Sequence, residues 1–203
     1  MINTFYNQSF PKLEVDSQFI LREQEIKDTQ NFFAYYGDPD VGQYILADKP
    51  RTLTEASTEI NYCRSLFHYK KGIYWTLAHK ESDEMIGAIG IYINNQHHRG
   101  EICYDLAHQY WNQGIMTRAL QKVISFCFNQ IGLIRLEALT VKENISSIAV
   151  LTKVGFHLEA TLTKYRNYKD QFHNVEMYAL IAPHTELSLP SFVLKLEKHQ
   201  STI

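Results

Sequence analysis

Apolar residues follow two different periods on either side of residue 114. From Ile102 to Leu106 they alternate with polar residues, which predicts a strand with one buried face. Beyond residue 114 they recur every three or four positions and predict the buried stripe of a helix: Met116, Ala119, Leu120, Val123, Cys127 and Ile131. The first N–H groups of such a helix are unpaired, and together with the helix dipole they favour an anion such as phosphate. The glycine at the joint therefore belongs either to a phosphate-binding loop or to an ordinary turn.

The rest of the chain shows the same two kinds of pattern. Strands are predicted at residues 19–22, 73–79, 85–93, 136–141, 156–168 and 174–181. Helices are predicted at residues 25–36, from a cap at Thr52 or Thr54 to residue 69, and at 146–153. Pro39 should end the first of these helices, because proline excludes the residue before it from helical geometry. This order of elements predicts one mixed α/β sheet flanked by helices.

The ends of the chain differ from this central part. We expect residues 1–18 to form a polar N-terminal segment, residues 19–183 to form the folded domain, and residues 184–203 to form a C-terminal extension. Within that extension, residues 192–198 could be a short strand, an amphipathic helix or a frayed tail.

Composition limits the possible partners. The 203 residues are enough for one domain with a sizeable core, and a formal net charge of −2 predicts no nucleic-acid partner. Cys63, Cys103 and Cys127 lie in apolar segments without C-x-x-C spacing, so we expect reduced cysteines in the core. The nine histidines show no metal-ligand spacing, which predicts no metal site. No apolar run approaches the ~20 residues needed to cross a bilayer, so we expect a cytoplasmic protein with no membrane partner.

Two ordered motifs resemble those of the Gcn5-related N-acetyltransferases (GNAT). Residues 110–117, YWNQGIMT, resemble the family's coenzyme A pyrophosphate loop, and residues 143–156, ENISSIAVLTKVGF, resemble a second family motif. The resemblance extends over residues 19–181 and points to the RimJ/RimL-like branch, named for enzymes that acetylate ribosomal-protein N-termini. It implies the α/β GNAT fold, a mixed and mostly antiparallel sheet of about seven strands flanked by about four helices and splayed at its central strand pair.

The resemblance also implies a function. The acyl donor would be acetyl-CoA, and the acceptor would be a primary amine, in the first instance the α-amine of a protein or peptide N-terminus. A small amine such as a polyamine or an antibiotic, or a CoA-binding module that has lost catalysis, are the alternatives. The resemblance leaves open whether the protein is a monomer or a homodimer.

Cofactor contacts are carried over from the family residue by residue. The backbone N–H groups of five residues would bind the pyrophosphate: Gln113, Gly114, Ile115, Met116 and Thr117. Asn112 stands where the family prefers glycine, and it is compatible with that position because asparagine tolerates left-handed backbone angles. Leu106 would offer main-chain hydrogen bonds to pantetheine and to the thioester oxygen. Asn144 would contact the pantetheine arm, cap the following helix, or do both.

Candidate catalytic residues follow from the same resemblance. Ser147 falls where this branch carries a serine near the coenzyme sulfur, and Leu151 occupies the position of the tyrosine used elsewhere in the superfamily. Glu101 matches a glutamate common in this branch and is the candidate base, although a solvated strand charge is equally compatible with its position. Arg166 replaces a glutamate found in some members and cannot act as a base, since it stays protonated. The candidate walls of the acceptor pocket are Tyr44, Tyr92 and Tyr165, although tyrosines at strand spacing also pack.

Overall fold

The computed structural model describes Tyr6 and residues 9–183. They form one eight-stranded sheet with the strand order β1-β2-β3-β4-β5-β6-β8-β7. The strands are β1 Leu13–Glu14, β2 Phe19–Glu23, β3 Gly72–His79, β4 Met85–Asn94, β5 Arg99–Leu106, β6 Arg135–Thr140, β7 His157–Tyr168 and β8 Gln171–Ile181. The helices are α1 Thr29–Tyr36, α2 Pro39–Gly42, α3 Leu53–His68, α4 Ile115–Phe126 and α5 Ile145–Lys153, with 3₁₀ turns at Ile26–Asp28 and His108–Tyr110.

One strand pair opens the sheet. All neighbouring strands are antiparallel except β5 and β6, which are parallel. Their pairing covers only residues 99–102 of β5, whereas β5 continues to pair with β4 as far as Leu106. Within the part of the chain that the structure describes, the second half of β5 therefore has a free edge. The predicted mixed, mostly antiparallel sheet with a splayed central pair is confirmed.

Two apolar cores cover the two faces of the sheet. The larger one includes Trp75, Ile89 and Leu120 and receives the buried stripe of α4, as its periodicity predicts. The smaller one joins α1, α2 and α3 to the opposite face and includes Phe32, Ile60 and Ala88. Alternate β4 side chains therefore enter different cores. The last apolar residues of the α4 stripe continue in a π-helical turn at Cys127–Ile131, which ends at Gly132.

The structure corrects several predicted boundaries. The helix predicted over 25–36 begins as the 3₁₀ turn and becomes α-helical only at Thr29. A further short helix, α2, begins at Pro39 itself and is capped by Asp38. The N-terminal segment supplies an eighth strand, β1, and a buried Val15, because it pairs along the exposed edge of β2. The three cysteines are free, with Cys63 and Cys127 buried and Cys103 partly buried. The prediction for residues 192–198 lies outside the described residues.

None of the helices in the described part of the chain is long and apolar enough to cross a lipid bilayer.

Candidate active site

A cleft of about 510 Å³ lies where β5 and β6 diverge. Its walls come from the end of β5, the loop before α4, the first turns of α4 and α5, and α2 with the residues after it. The predicted site residues that line it are Leu106, Asn112, Gly114, Ile115, Met116, Thr117, Asn144, Ser147 and Tyr44. The fold thus brings together residues separated by more than 100 positions, such as Tyr44 and Ser147.

The loop before α4 has the backbone form that a phosphate site needs. Gly114 is the N-cap of α4 with a φ of 69°, and Asn112 has a φ of 59°, so Asn112 adopts the left-handed conformation that asparagine tolerates. No side chain within the described residues caps this helix. The N–H groups of its first turn therefore remain available, and the helix dipole adds positive potential at the same place.

Gln113 differs from its neighbours because it does not line the cleft. Its side chain turns back and donates a 2.9 Å hydrogen bond to the carbonyl of Gln109, and its own carbonyl accepts one of 3.1 Å from Arg118 Nη1. The Nε of Arg118 donates a 2.8 Å hydrogen bond to Asp16. Burial raises the pKa of Asp16, but hydrogen bonds from Gln18, Arg118 and the Phe19 amide outweigh it and lower the pKa below its usual value. Asp16 thereby fixes the loop from a segment that the sequence did not connect to it.

Leu106 presents its backbone to the cleft. In an antiparallel ladder, successive residues direct their N–H and C=O groups to opposite sides. The amide of Ala107 donates to Ile86 of β4 at 2.8 Å, so the backbone groups of Leu106 point the other way, towards the space left by β6. The Leu106 carbonyl accepts a 2.8 Å hydrogen bond from Trp111 Nε1.

Asn144 and Ser147 start helix α5 on the far wall. The side chain of Asn144 accepts a 3.1 Å hydrogen bond from the Ser147 amide, so the predicted cap is confirmed. The Ser147 hydroxyl lies 2.9 Å from the hydroxyl of Tyr104, which also donates a 3.1 Å hydrogen bond to the Ser147 carbonyl. Burial raises the pKa of Tyr104 far above its usual value, so this phenol stays protonated. Leu151 is buried in the core and does not line the cleft.

Three predicted residues lie elsewhere. Glu101 is on the half of β5 that still pairs with β6, and its carboxylate is 3.5 Å from Arg166 Nη2. Tyr92 pairs with Glu101 across the sheet, and Tyr165 is more than half exposed on β7. None of the three lines the cleft. The divergence of β5 and β6 begins beyond Glu101, so a side chain at that position faces the closed part of the sheet.

Asp105 is a cleft residue that the sequence reasoning missed. Its carboxylate accepts a 2.7 Å hydrogen bond from the hydroxyl of Tyr35 on α1. Although the residue is partly exposed, protein surrounds the carboxylate, and this burial raises its pKa to about 6 against hydrogen bonds from Tyr35 and the backbone of Ala88. The available signal was the alternation of β5, which sets an acidic residue on the polar face one position before Leu106.

The outer rim of the cleft carries two further carboxylates. Possible ligand atoms of Asp38, Asp40 and His108 lie within 4.8 Å of one another, and His108 Nδ1 is 3.2 Å from Asp40 Oδ2. Asp40 and His108 are exposed, and exposed acidic groups are common without a metal ion. This geometry makes the rim acidic and identifies no metal centre.

A sheet that opens between two parallel strands over a helix N-terminus defines the GNAT fold, and the comparisons with known proteins agree. The family model described as the acetyltransferase (GNAT) domain matches residues 18–157. The chain is 29% identical over 175 residues to the uncharacterized N-acetyltransferase YoaA of Bacillus subtilis (strain 168), an alignment covering 86% of this chain and 98% of that relative. It is 31% identical over 162 residues to the uncharacterized N-acetyltransferase p20 of Bacillus licheniformis, with 79% and 91% covered. The chain therefore belongs to the GNAT acetyltransferase family, and it is an acetyltransferase enzyme.

Solved structures share this fold. RimL, a ribosomal L7/L12 α-N-protein acetyltransferase determined in complex with coenzyme A, aligns with a TM-score of 0.75 at 20% identity, covering 84% of this chain and 98% of that one. At this identity the similarity shows the common fold.

Proposed function

We propose that this enzyme binds acetyl-CoA in the cleft between β5 and β6 and transfers the acetyl group to the α-amine of a protein or peptide N-terminus. The observation that carries the proposal is the uncapped N-terminus of α4 at the free edge of β5. The helix end supplies N–H donors for a pyrophosphate, and the free strand edge supplies backbone groups for an extended pantetheine arm.

Each cleft residue then has a defined chemical task. The backbone of Gly114 to Thr117 binds the pyrophosphate, and Asn144 contacts the pantetheine arm from the start of α5. The N–H of Leu106 donates to the thioester oxygen, where negative charge develops as the amine attacks. When the Tyr104 phenol donates to the Ser147 hydroxyl 2.9 Å away, the single Ser147 proton is free, and Ser147 donates it in a hydrogen bond to the sulfur as it leaves as a thiolate.

The acceptor follows from the proton balance. An α-amine with a pKa of ~8 is about 10% neutral at pH 7, whereas a lysine of pKa ~10.4 is neutral in roughly one molecule in 2,500. Arg166 cannot remove a proton, and Glu101 lies outside the cleft lining. The carboxylates that line the cleft are Asp105 and, at its rim, Asp40. Carboxylates are weak bases, so this site suits an amine that is already partly neutral.

Two peptides of one sequence test this proposal. The first has a free N-terminus and an acetylated lysine, and the second has an acetylated N-terminus and a free lysine. Both are assayed with labelled acetyl-CoA between pH 6 and 9. We expect the first peptide to react at least about tenfold faster at pH 7, with a rate that rises as its amine loses a proton. Equal rates, or a faster lysine peptide, would overturn the choice of an α-amine.

The acidic rim favours a second candidate acceptor. Asp38 and Asp40 stand beside the cleft opening and would attract a polycationic amine. Spermidine is therefore assayed beside the peptides, with Asp40→Asn as the matched variant. A higher kcat/KM for spermidine than for the free peptide, lost in Asp40→Asn, would assign the enzyme to small amines. Acetyl-CoA binding without transfer to any of these amines would overturn both acceptor assignments and favour the alternative of a CoA-binding module that has lost catalysis.

A further inference from the structure

A second, smaller cavity lies behind the cleft on the face of the sheet covered by α1 and α3. Its volume of about 20 Å³ is enough for one water-sized molecule. Its polar lining includes the side chains of Gln24, Glu59 and Asp105, and the rings of Tyr36 and Tyr74 also line it. Asp105 also lines the cleft, so its carboxylate stands between the cavity and the space proposed for the thioester.

The cavity is rich in hydrogen-bond acceptors. Gln24 is 2% exposed, and its Oε1 has no hydrogen-bond partner among the described residues. The carboxylates of Asp105 and Glu59 border the same space. A buried acceptor without a partner is costly, so this arrangement suits an occupant that donates hydrogen bonds, such as a water molecule.

Glu101, the candidate base from the sequence, is badly placed to remove a proton from the amine. Glu101 and Asp105 lie on one face of β5, four residues apart, which is a separation of about 13 Å along a strand. Leu106, whose N–H points into the cleft, follows directly after Asp105. A group that removes a proton during attack must be within hydrogen-bond reach of the nitrogen or one water away from it.

We propose that Asp105, positioned by Tyr35, is the proton acceptor for an amine bound in the cleft, with the small cavity behind it holding a water that donates a hydrogen bond to the carboxylate. This inference rests on the proposed amine acetylation and names a catalytic residue for it.

In the proposed reaction, Asp105 removes a proton from the amine as the acetyl group is transferred. The amine lone pair forms the C–N bond at the thioester carbonyl, and the carbonyl electrons move to the oxygen facing Leu106. Asp105 takes one proton from the nitrogen. When the intermediate collapses, the C–S bond breaks and the electron pair leaves with sulfur, which receives the hydrogen bond of Ser147. The proton on Asp105 then passes to solvent or to the thiolate, giving the amide and the CoA thiol.

Most of the groups that surround Asp105 are neutral at neutral pH. The groups that face it are Tyr35 and Tyr36 on α1, Tyr74 on β3, Cys103 on β5, and Cys63 and Glu59 on α3. Burial raises the pKa of all three tyrosines and of Cys63 well above the usual range and raises that of Cys103 to about 12, so these five groups stay neutral. With burial raising its own pKa to about 6, Asp105 is ionised at pH 7 and basic enough to accept a proton.

The test is the pH dependence of kcat/KM between pH 5 and 9 on the free-α-amine peptide. The wild type should lose activity with a slope of one in log kcat/KM against pH below about pH 8, where the amine protonates. The slope should steepen to two below about pH 6, where Asp105 protonates as well. Asp105→Asn, which keeps an oxygen for Tyr35, should lower kcat by about 100-fold at pH 7.5 and keep a slope of one down to pH 5.

Two further variants separate catalysis from structure. Tyr35→Phe removes a hydrogen bond that lowers the pKa of Asp105, so the steepening should move to higher pH. In Glu101→Gln the steepening of the pH profile should stay at about pH 6. The affinity for acetyl-CoA, measured by calorimetry, should stay within about threefold in all three variants, which shows that the cleft is intact.

The possible failures are distinct. A wild-type enzyme that acetylates none of the peptides or spermidine would overturn the proposed function and this inference with it. An active wild type whose steepening persists in Asp105→Asn, or disappears in Glu101→Gln, would overturn the role of Asp105 and leave the proposed function standing.

Discussion

The hydroxyl of Tyr104 on β5 lies 2.9 Å from the hydroxyl of Ser147 on α5, 43 residues further along the chain. The same phenol donates to the Ser147 carbonyl at 3.1 Å. This pair joins the two walls of the cleft at the point where β5 and β6 have separated. Ser147 lies on the first turn of the nine-residue helix α5. Its side chain has three staggered rotamers, and the contact with Tyr104 holds it in one of them.

Removing either hydroxyl should therefore slow the chemical step. We expect Ser147→Ala to lower kcat by about 10- to 100-fold, because its donor is needed as charge builds on sulfur. Tyr104→Phe should lower kcat less, by about tenfold, since it acts by positioning Ser147. The double variant should be no slower than Ser147→Ala alone, because both changes remove one function. Single-turnover rates and acetyl-CoA affinities measure this, with Ser146→Ala as the neighbouring control. Multiplied losses in the double variant would show that the two hydroxyls act separately.

The glycine before α4 should control cofactor binding. Gly114→Asp adds a negative charge beside the helix end that we assign to the pyrophosphate, and its Cβ would lie 3.2 Å from Arg118 Nη1. We expect acetyl-CoA affinity to fall by at least about 100-fold, with loss of the roughly 2.7 kcal/mol of stabilisation that a ligand gives at 100 times its Kd. The matched control is Gly132→Asp, because Gly132 also has a left-handed φ, 82°, with nothing within 4 Å of an added Cβ. Tight binding by Gly114→Asp would place the cofactor elsewhere.

The Asp105 carboxylate should lower the free energy of unfolding at neutral pH, because burial disfavours its ionised form. A carboxyl group whose folded pKa of about 6 exceeds its unfolded value of 3.8 binds its proton more tightly in the folded state, so folding stability falls as pH rises between these two values. Asp105→Asn removes this dependence. The variant should match the wild type below about pH 4 and exceed its stability by up to about 3 kcal/mol at pH 7.

Urea unfolding at pH 4 and pH 7 measures this difference, with Glu101→Gln as the control that should follow the wild type at both values. An Asp105→Asn variant that is less stable than the wild type at pH 7 would show that the ionised Asp105 carboxylate does not destabilise the fold. If Asp105→Asn is more stable and less active than the wild type, one residue increases activity at the expense of stability.

A buried ion pair fixes β2 beneath the turn before α1. Arg22 and Asp28 are 5% and 2% exposed, and both Asp28 oxygens accept from the guanidinium, at 2.7 and 2.8 Å. Asp28→Ala would leave the arginine charge buried without its main partner and should cost about 3–5 kcal/mol in unfolding free energy. The control, Lys27→Ala, removes an exposed charge one residue away and should change stability by less than about 1 kcal/mol. Equal effects of the two variants in urea unfolding would show that Asp28 is not the essential partner.

The sequence alone determined the elements and the backbone of the loop before α4, because these depend on residues close together in the chain. Period-two and period-3.6 patterns located seven of the eight strands and the long helices, and the turn chemistry of Asn112 and Gly114 and the cap at Asn144 are local properties of the backbone. The short strand β1 escaped this reasoning because two residues show no periodicity, and only pairing with β2 defines them.

Tertiary structure alone decided which polar residues meet at the cleft. Glu101 and Asp105 look equivalent on one strand face, and they differ only because β6 leaves β5 after residue 102. The contacts of Asp105 with Tyr35 and of Arg118 with Asp16 span 70 and 102 residues. The raised pKa of Asp105 likewise comes from burial by α1, α3 and β3, which no local pattern encodes, because desolvation depends on what packs around a group in space.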